Sequence, residues 1–142
     1  RSRRTGTRMT EREILEAYHT VAVVGLSDDD TRPSYTVASY LKNAGYHIIP
    51  VNPTETEVLG EKAYPDLLSI PEPVEIVDIF RRPENVPPHV DEAIAIGAKV
   101  IWMQLGIRNE GAAAKARAAG LEVIQDRCIR AAHREMLAGC AS

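Results

Sequence analysis

The stretch that decides the fold runs from Thr20 to Tyr35 and reads TVAVVGLSDDDTRPSY. Its apolar run at 21–24 has no polar alternation, which predicts a strand covered on both faces. Gly25 ends the run, and a polar loop leads into the amphipathic pattern that begins near Tyr35. Strand, small-residue loop and helix form the unit with which α/β proteins bind anions, because the free N–H groups and the positive dipole end of the helix face the loop.

The same alternation continues along the chain. Further apolar runs predict strands at 47–51, 74–80, 99–104 and 121–125. Helix patterns begin near Thr10, near Ser34, and at 86–96, 109–119 and 128–137. Glycines end three of these helices just before a strand, as expected of left-handed helix ends: Gly45, Gly97 and Gly120. Right-handed crossovers then predict an α/β, Rossmann-like, doubly wound fold, with a parallel five-stranded sheet and helices on both faces.

The composition of the chain limits the classes of function that can be expected. The chain has 142 residues, with 17 basic and 20 acidic side chains, which predicts one domain and no nucleic-acid partner. No apolar run approaches the roughly 20 residues of a membrane span, so no membrane partner is expected. Two cysteines form neither a disulfide framework nor a metal-ligand spacing, which favours the cytoplasm. Residues 1–9 are predicted to be a basic N-terminal arm, held in place by another subunit if at all, and residues 10–142 the folded domain.

Ligands of such sheets bind beyond the carboxyl ends of the strands, where the strand order reverses. The segments that follow the five predicted strands are 25–27, 51–53, 80–83, 104–107 and 126–128. They supply small residues for close backbone approach, the guanidiniums of Arg81 and Arg82, and the apolar side chains of Phe80, Leu105 and Ile107. This combination predicts a ligand with phosphates and a long or planar apolar part.

Ordinary nucleotide motifs are incomplete in this chain. Only Gly25 fits the G-x-G-x-x-G fingerprint of dinucleotide sites, and Asn52-Pro53 stands where an acidic residue would bind the ribose. A Walker A lysine is also absent. NAD(P) and ATP are therefore disfavoured, although another nucleotide stays open as an alternative.

Five motifs in order, VVGLS with RPSY, VNP, FRRPENVP, WMQLGI and DRC, resemble the small family of stand-alone coenzyme A-binding proteins of bacteria and archaea. That family is similar to the CoA-binding domain of the succinyl-CoA synthetase alpha subunit and of ADP-forming acyl-CoA synthetases. The resemblance covers about residues 14–132. It implies that coenzyme A is the cofactor and lies across the strand ends.

The resemblance also implies a set of binding residues. The pyrophosphate group of coenzyme A would lie near Gly25, Ser27, Arg32, Ser34 and Tyr35. The nucleotide part would be lined by Val51, Asn52 and Pro53. Adenine and phosphates would be flanked by Phe80, Arg81 and Arg82, and the pantetheine path would pass Gln104, Leu105 and Gly106. One departure is the absence of the synthetases' lysine after the second-strand motif, where residues 54–57 read TETE, so arginines would have to meet the phosphates.

Catalytic residues are not predicted. Consecutive carboxylates at 28–30 are expected to be a solvated loop tip rather than a metal site, and the four histidines lack a nucleophile partner. Cys128 is the exception, since it follows the last strand near a helix start. We therefore predict a non-catalytic binder of CoA or acyl-CoA. The alternative is an enzyme or synthetase subunit acting on acyl-CoA or CoA disulfide, with Cys128 or a partner chain supplying the chemistry; a homo-oligomer also stays open.

Overall fold

The computed structural model describes residues 8–141. Its helices are α1 Glu11–Ala17, α2 Pro33–Asn43, α3 Val86–Ala95, α4 Glu110–Ala118 and α5 Ile129–Ala141. Its strands are β1 Thr20–Val24, β2 His47–Val51, β3 Glu57–Val58, β4 Glu61–Lys62, β5 Ile76–Ile79, β6 Val100–Met103 and β7 Glu122–Ile124. Most of the predicted basic arm, residues 1–7, lies outside the described residues.

Five strands form one parallel sheet in the order β2-β1-β5-β6-β7. The chain passes from β1 outward to β2 and then returns to the other side of β1 to form β5. The strand order therefore reverses between β1 and β5, which is where α/β sheets of this topology open a crevice for ligands. The predicted Rossmann-like α/β fold is confirmed.

Helices cover both faces of the sheet, as side-chain alternation along the strands requires. On one face, Ala22 and Val24 of β1 belong to a buried cluster with apolar residues of α3 and α4. On the other face, Val21 and Val23 belong to a second cluster with residues of α1, α2 and α5. Because β1 is buried on both faces, its sequence shows a continuous apolar run rather than an alternating one.

The segment between β2 and β5 contains a feature that the sequence did not predict. Its strands β3 and β4 pair antiparallel as a two-residue hairpin. The turn residues Leu59 and Gly60 both have positive φ, 57° and 77°. Such turns usually carry Asn-Gly or Asp-Gly, so leucine at the first position gave no signal. Lys42 of α2 stabilises the turn by binding the carbonyl of Leu59 and the carboxylate of Glu61.

None of the helices within residues 8–141 is both long enough and apolar enough to cross a bilayer.

Candidate functional site

The ends of three neighbouring strands are held together around Gly25. Its N–H donates to the carbonyl of Val51 at 2.7 Å, and the N–H of Phe80 donates to the carbonyl of Val24 at 2.9 Å. Gly25 has φ +88°, and a Cβ placed there would lie 2.5 Å from the carbonyl oxygen of Phe80. Only glycine allows β1 and β5 to approach this closely at the reversal point.

The loop after β1 is held against the start of α2. The N–H of Ser27 donates to Oγ of Ser34 at 3.1 Å, while Oγ of Ser27 accepts from the N–H of Asp29 at 3.0 Å. Helix α2 begins at Pro33, and its N-cap, Arg32, makes no side-chain cap hydrogen bond. The positive end of α2 therefore faces this edge of the sheet, and its N-cap residue supplies no side-chain acceptor for the first N–H groups. This arrangement favours an anion.

A cleft of about 600 Å³ lies between the start of α2, the ends of β5 and β6, and the start of α5. The residues that line it are Pro33, Val37, Phe80, Arg81, Arg82, Pro83, Gln104, Leu105, Ile107, Cys128 and Arg130. Most of these side chains are apolar, and Leu105 is 71% exposed at the rim. Every charged residue among them is an arginine.

The three arginines of the cleft, Arg81, Arg82 and Arg130, have no ion-pair partner within the part of the chain that the structure describes. The whole chain has a formal charge of −3, so this concentration of positive charge is local. Arg81 lies over the reversal point, because its Nε is 3.4 Å from the place that a Cβ on Gly25 would take. The cleft is therefore suited to an anionic ligand with apolar parts.

The positive charge of the cleft also affects His89 of α3. The histidine is half-buried, and its Nδ1 has no hydrogen-bond partner among the described residues. Burial lowers the pKa of His89, and the nearby guanidinium of Arg81 lowers it further. We therefore expect this side chain to be neutral beside the cationic cleft at neutral pH.

The predicted binding residues fall into three groups. Five of them line the cleft: Phe80, Arg81, Arg82, Gln104 and Leu105. Others shape its surroundings: Gly25 and Val51 join the strand ends, and Ser27 and Ser34 hold the loop. Gln104 also has a structural role, since its Oε1 accepts from the N–H of Ile129 at 3.0 Å and so joins the β6 loop to α5.

The remaining predicted residues lie outside the cleft lining. The side chain of Arg32 is 69% exposed and lies 3.8 Å from Asp29. Tyr35 packs against the core, Pro53 is exposed, and Gly106 donates its N–H to Asp126.

Asn52 also lies outside the lining, and the protein itself uses its side-chain amide. Its Nδ2 donates to the carbonyl of Leu26 at 3.1 Å, and its Oδ1 accepts from the N–H and hydroxyl of Thr54. These contacts tie the end of β2 to the loop after β1.

Three lining residues were missed by sequence reasoning: Pro33, Val37 and Arg130. Their positions depend on how α2 and α5 lie on the sheet, which strand-end segments do not reveal. Arg130 had a weak signal, because it stands one helical turn or less beyond the DRC motif. Extending each strand-end segment into the first turn of the following helix would have included it.

A buried carboxyl lies beneath the cleft. Asp78 occupies the middle of β5, is fully buried, and has no hydrogen-bond partner for either oxygen among residues 8–141. Strand alternation places it on the same face as Phe80, where Cys128 also packs. Burial raises the pKa of Asp78 well above its ordinary value, and the neighbouring Cys128 raises it further. This carboxyl therefore keeps its proton to a higher pH than an exposed aspartate does.

The carboxylates at 28–30 are exposed, as the solvated-tip prediction required. Hydrogen bonds from Thr31 lower the pKa of Asp29. Among the described residues, no group of three or more histidine, cysteine or acidic side chains is placed to hold a metal ion.

Residues 19–134 of this chain match the model of a protein family described as the CoA binding domain. The chain belongs to this CoA-binding domain family. The resemblance seen in the sequence motifs is thereby confirmed.

Relatives of this CoA-binding domain include stand-alone proteins and part of a larger enzyme. Uncharacterized protein YneT of Bacillus subtilis is 45% identical over 122 residues, which are 86% of this chain and 90% of that protein. The solved structure of a hypothetical protein from Pyrococcus horikoshii OT3 is 38% identical with a TM-score of 0.87, covering 96% of this chain and 98% of that one. Acetate–CoA ligase (ADP-forming) II of Archaeoglobus fulgidus is 33% identical over 94 residues, 64% of this chain but 14% of the ligase.

Proposed function

We propose that this domain binds coenzyme A or an acyl-CoA in the cleft and catalyses no reaction of its own. The observation that carries the proposal is the composition of the cleft wall, which combines apolar side chains with three arginines that have no ion-pair partner among the described residues. CoA combines phosphates with a long, weakly polar arm, so both kinds of wall have a counterpart in this ligand. Membership of the CoA-binding domain family supports the same ligand.

The position of each part of the ligand follows from charge. We place the phosphates near Gly25 and Arg81, where the start of α2 and a guanidinium meet. The pantetheine arm then runs past Phe80 and Leu105 toward Cys128. Residues 54–57, after β2, read TETE and offer the phosphates no lysine, so we assign the phosphate contacts to arginines.

A reaction at the thiol of Cys128 is the second candidate function, because Cys128 lines the cleft. Among the described residues, no histidine and no acidic residue lines the cleft beside this thiol to act as its base. We keep binding without chemistry as the main proposal. A homo-oligomer, or a partner synthetase subunit that acts on the bound ligand, also fits a domain without its own catalytic group, and we propose the cytoplasm as its location.

Ligand identity gives the first prediction. Calorimetric titration at equal salt should show tighter binding of CoA than of NAD, NADP or ATP, because Asn52 has replaced the acidic ribose ligand and is already bonded to Leu26 and Thr54. Native mass spectrometry of the purified protein should detect a co-purifying CoA species. Tighter binding of NAD than of CoA would contradict the proposal.

The second prediction concerns Arg81. Replacing it with alanine should weaken CoA binding by about 1–3 kcal/mol, the range for a lost charge-assisted hydrogen bond. The fold should survive, since the Arg81 side chain forms no ion pair with any described residue. Arg108→Ala is the matched control, because Arg108 is exposed, pairs with Glu110 and lies outside the lining. Equal affinities of the two variants would remove Arg81 from the site.

A further inference from the structure

The two ends of the cleft contain different groups. Gly25 follows β1 and lies where the ends of β1, β2 and β5 meet. Cys128 follows β7, and the chain turns back over the sheet after this strand, since the N–H of Arg127 donates to the carbonyl of Met103 at the end of β6 and Cys128 neighbours Asp78 of β5. Arg81 belongs to the first end through its position over Gly25.

Arg130 belongs to the second end. It stands in the first turn of α5, and the N–H that starts this helix, that of Ile129, is already bound by Gln104 at 3.0 Å. This contact fixes the start of α5 against the β6 loop, so Arg130 enters the cleft beside Cys128 and Gln104. Arg81 lies over Gly25, whereas Arg130 lines the cleft from α5.

Arg130 also differs from the arginines around it. Arg127 binds the carboxylates of Glu11 and Glu135 at 3.1 and 2.9 Å. Arg134, one turn further along α5, lies over the ring of Tyr40, with its Cζ 5.2 Å from the centroid. Arg130 is half-buried in the cleft wall and has no ion-pair partner among the described residues. A guanidinium in this setting favours an anionic group on the ligand, and its planar fork matches a carboxylate.

We propose that the α5 end of the cleft, centred on Arg130, binds a carboxylate carried by the acyl group of an acyl-CoA. This inference rests on the proposed function and on the orientation given above, in which the sulfur end of the ligand lies beside Cys128. A thiol or a short unbranched acyl chain offers no charge to Arg130, whereas a dicarboxylic acyl group does. The apolar side chains of Phe80, Leu105 and Ile107 line the same cleft.

Two pairs of thioesters with equal carbon numbers test the subsite. Calorimetry compares malonyl-CoA with propionyl-CoA and glutaryl-CoA with valeryl-CoA, alongside CoA and dephospho-CoA. In the wild type we expect the dicarboxylic member of at least one pair to bind about tenfold tighter or more, as a charge-assisted bidentate pair implies. Arg130→Ala should abolish that preference and weaken the dicarboxylic thioester more than CoA.

Arg134→Ala is the control variant, because it removes the same charge from the same helix outside the cleft lining; it should keep the wild-type preference. Thermal melting of both variants checks that they fold. The inference is overturned if neither dicarboxylic thioester is preferred while CoA binds, or if Arg130→Ala weakens CoA as much as its acyl derivatives. If Arg130→Ala weakened the binding of CoA but not that of dephospho-CoA, which lacks the 3′-phosphate, Arg130 would contact the 3′-phosphate. That result would also overturn the inference. Failure of every CoA compound to bind would instead overturn the proposed function, and this inference with it.

Discussion

Replacing Gly25 with alanine should lower the melting temperature by about 10 °C or more. The new Cβ would lie 2.5 Å from the carbonyl oxygen of Phe80, so β1 and β5 would have to separate at the reversal point. A φ of +88° adds strain of about 1–3 kcal/mol for any residue with a Cβ, and each kcal/mol shifts the melting temperature by about 3–5 °C in a domain of this size. Thermal melting followed by circular dichroism measures the loss.

Gly111→Ala provides the matched control. Gly111 lies in α4, and a Cβ there would be 3.7 Å from its nearest neighbour, Asn109 Oδ1, an ordinary contact. Because alanine is the better helix former, this variant should be as stable as the wild type or slightly more so. If Gly25→Ala had the same melting temperature as Gly111→Ala, the ends of β1 and β5 would not be held as closely as described.

The second large effect is a dependence of stability on pH that comes from Asp78. Its carboxyl is protonated in the native state and ionises near its ordinary value of about 3.9 when the chain unfolds. Above that pH the unfolded state binds fewer protons than the native state, so the free energy of unfolding falls as pH rises. The decrease approaches about 1.4 kcal/mol per pH unit until the native pKa is reached.

Asp78→Asn removes this ionisation while keeping a polar side chain of similar size. Near pH 4 the variant and the wild type should have similar stability, and the variant should become progressively the more stable as the pH rises. Urea unfolding at a series of pH values measures the difference, in which the other titrating groups cancel. Asp30→Asn, in the exposed loop, should follow the wild type throughout. A constant difference between Asp78→Asn and the wild type across this range would show that Asp78 is not protonated by burial.

The fold could be predicted because its determinants are local in the sequence. The run at 21–24 has no polar residue, and in the structure β1 is buried on both faces between β2 and β5. Gly45, Gly97 and Gly120 have positive φ where the helices end, as their positions before strands predicted. The hairpin at Leu59 could not be predicted, because its turn conformation is stabilised by Lys42 from another element rather than by the turn residues themselves.

The candidate site was predictable only in part, and for a physical reason. Strand-end segments meet at one edge in any parallel sheet, so Arg81 and Leu105 could be placed together from strand positions alone. Arg130 reaches the cleft through the position of α5, which depends on packing between distant elements. Asp78 carried no signal, because a single acid within an apolar strand pattern does not reveal whether the sheet leaves it a partner. Asn52 was predicted for the ligand, but its contacts with Leu26 and Thr54 can be seen only in three dimensions.

The path of the described chain into and out of the domain has a practical consequence for attaching labels and fusion partners. Near one end, Met9 donates its N–H to Glu122, the first residue of β7, at the edge of the sheet opposite the cleft. Near the other end, α5 starts at the cleft and runs away from it for 13 residues, roughly 18 Å of helix. A tether or reporter joined at either point would therefore lie behind the ligand-binding edge. The domain can be immobilised for titration, or joined to a fluorescent reporter, with its cleft left open to solvent.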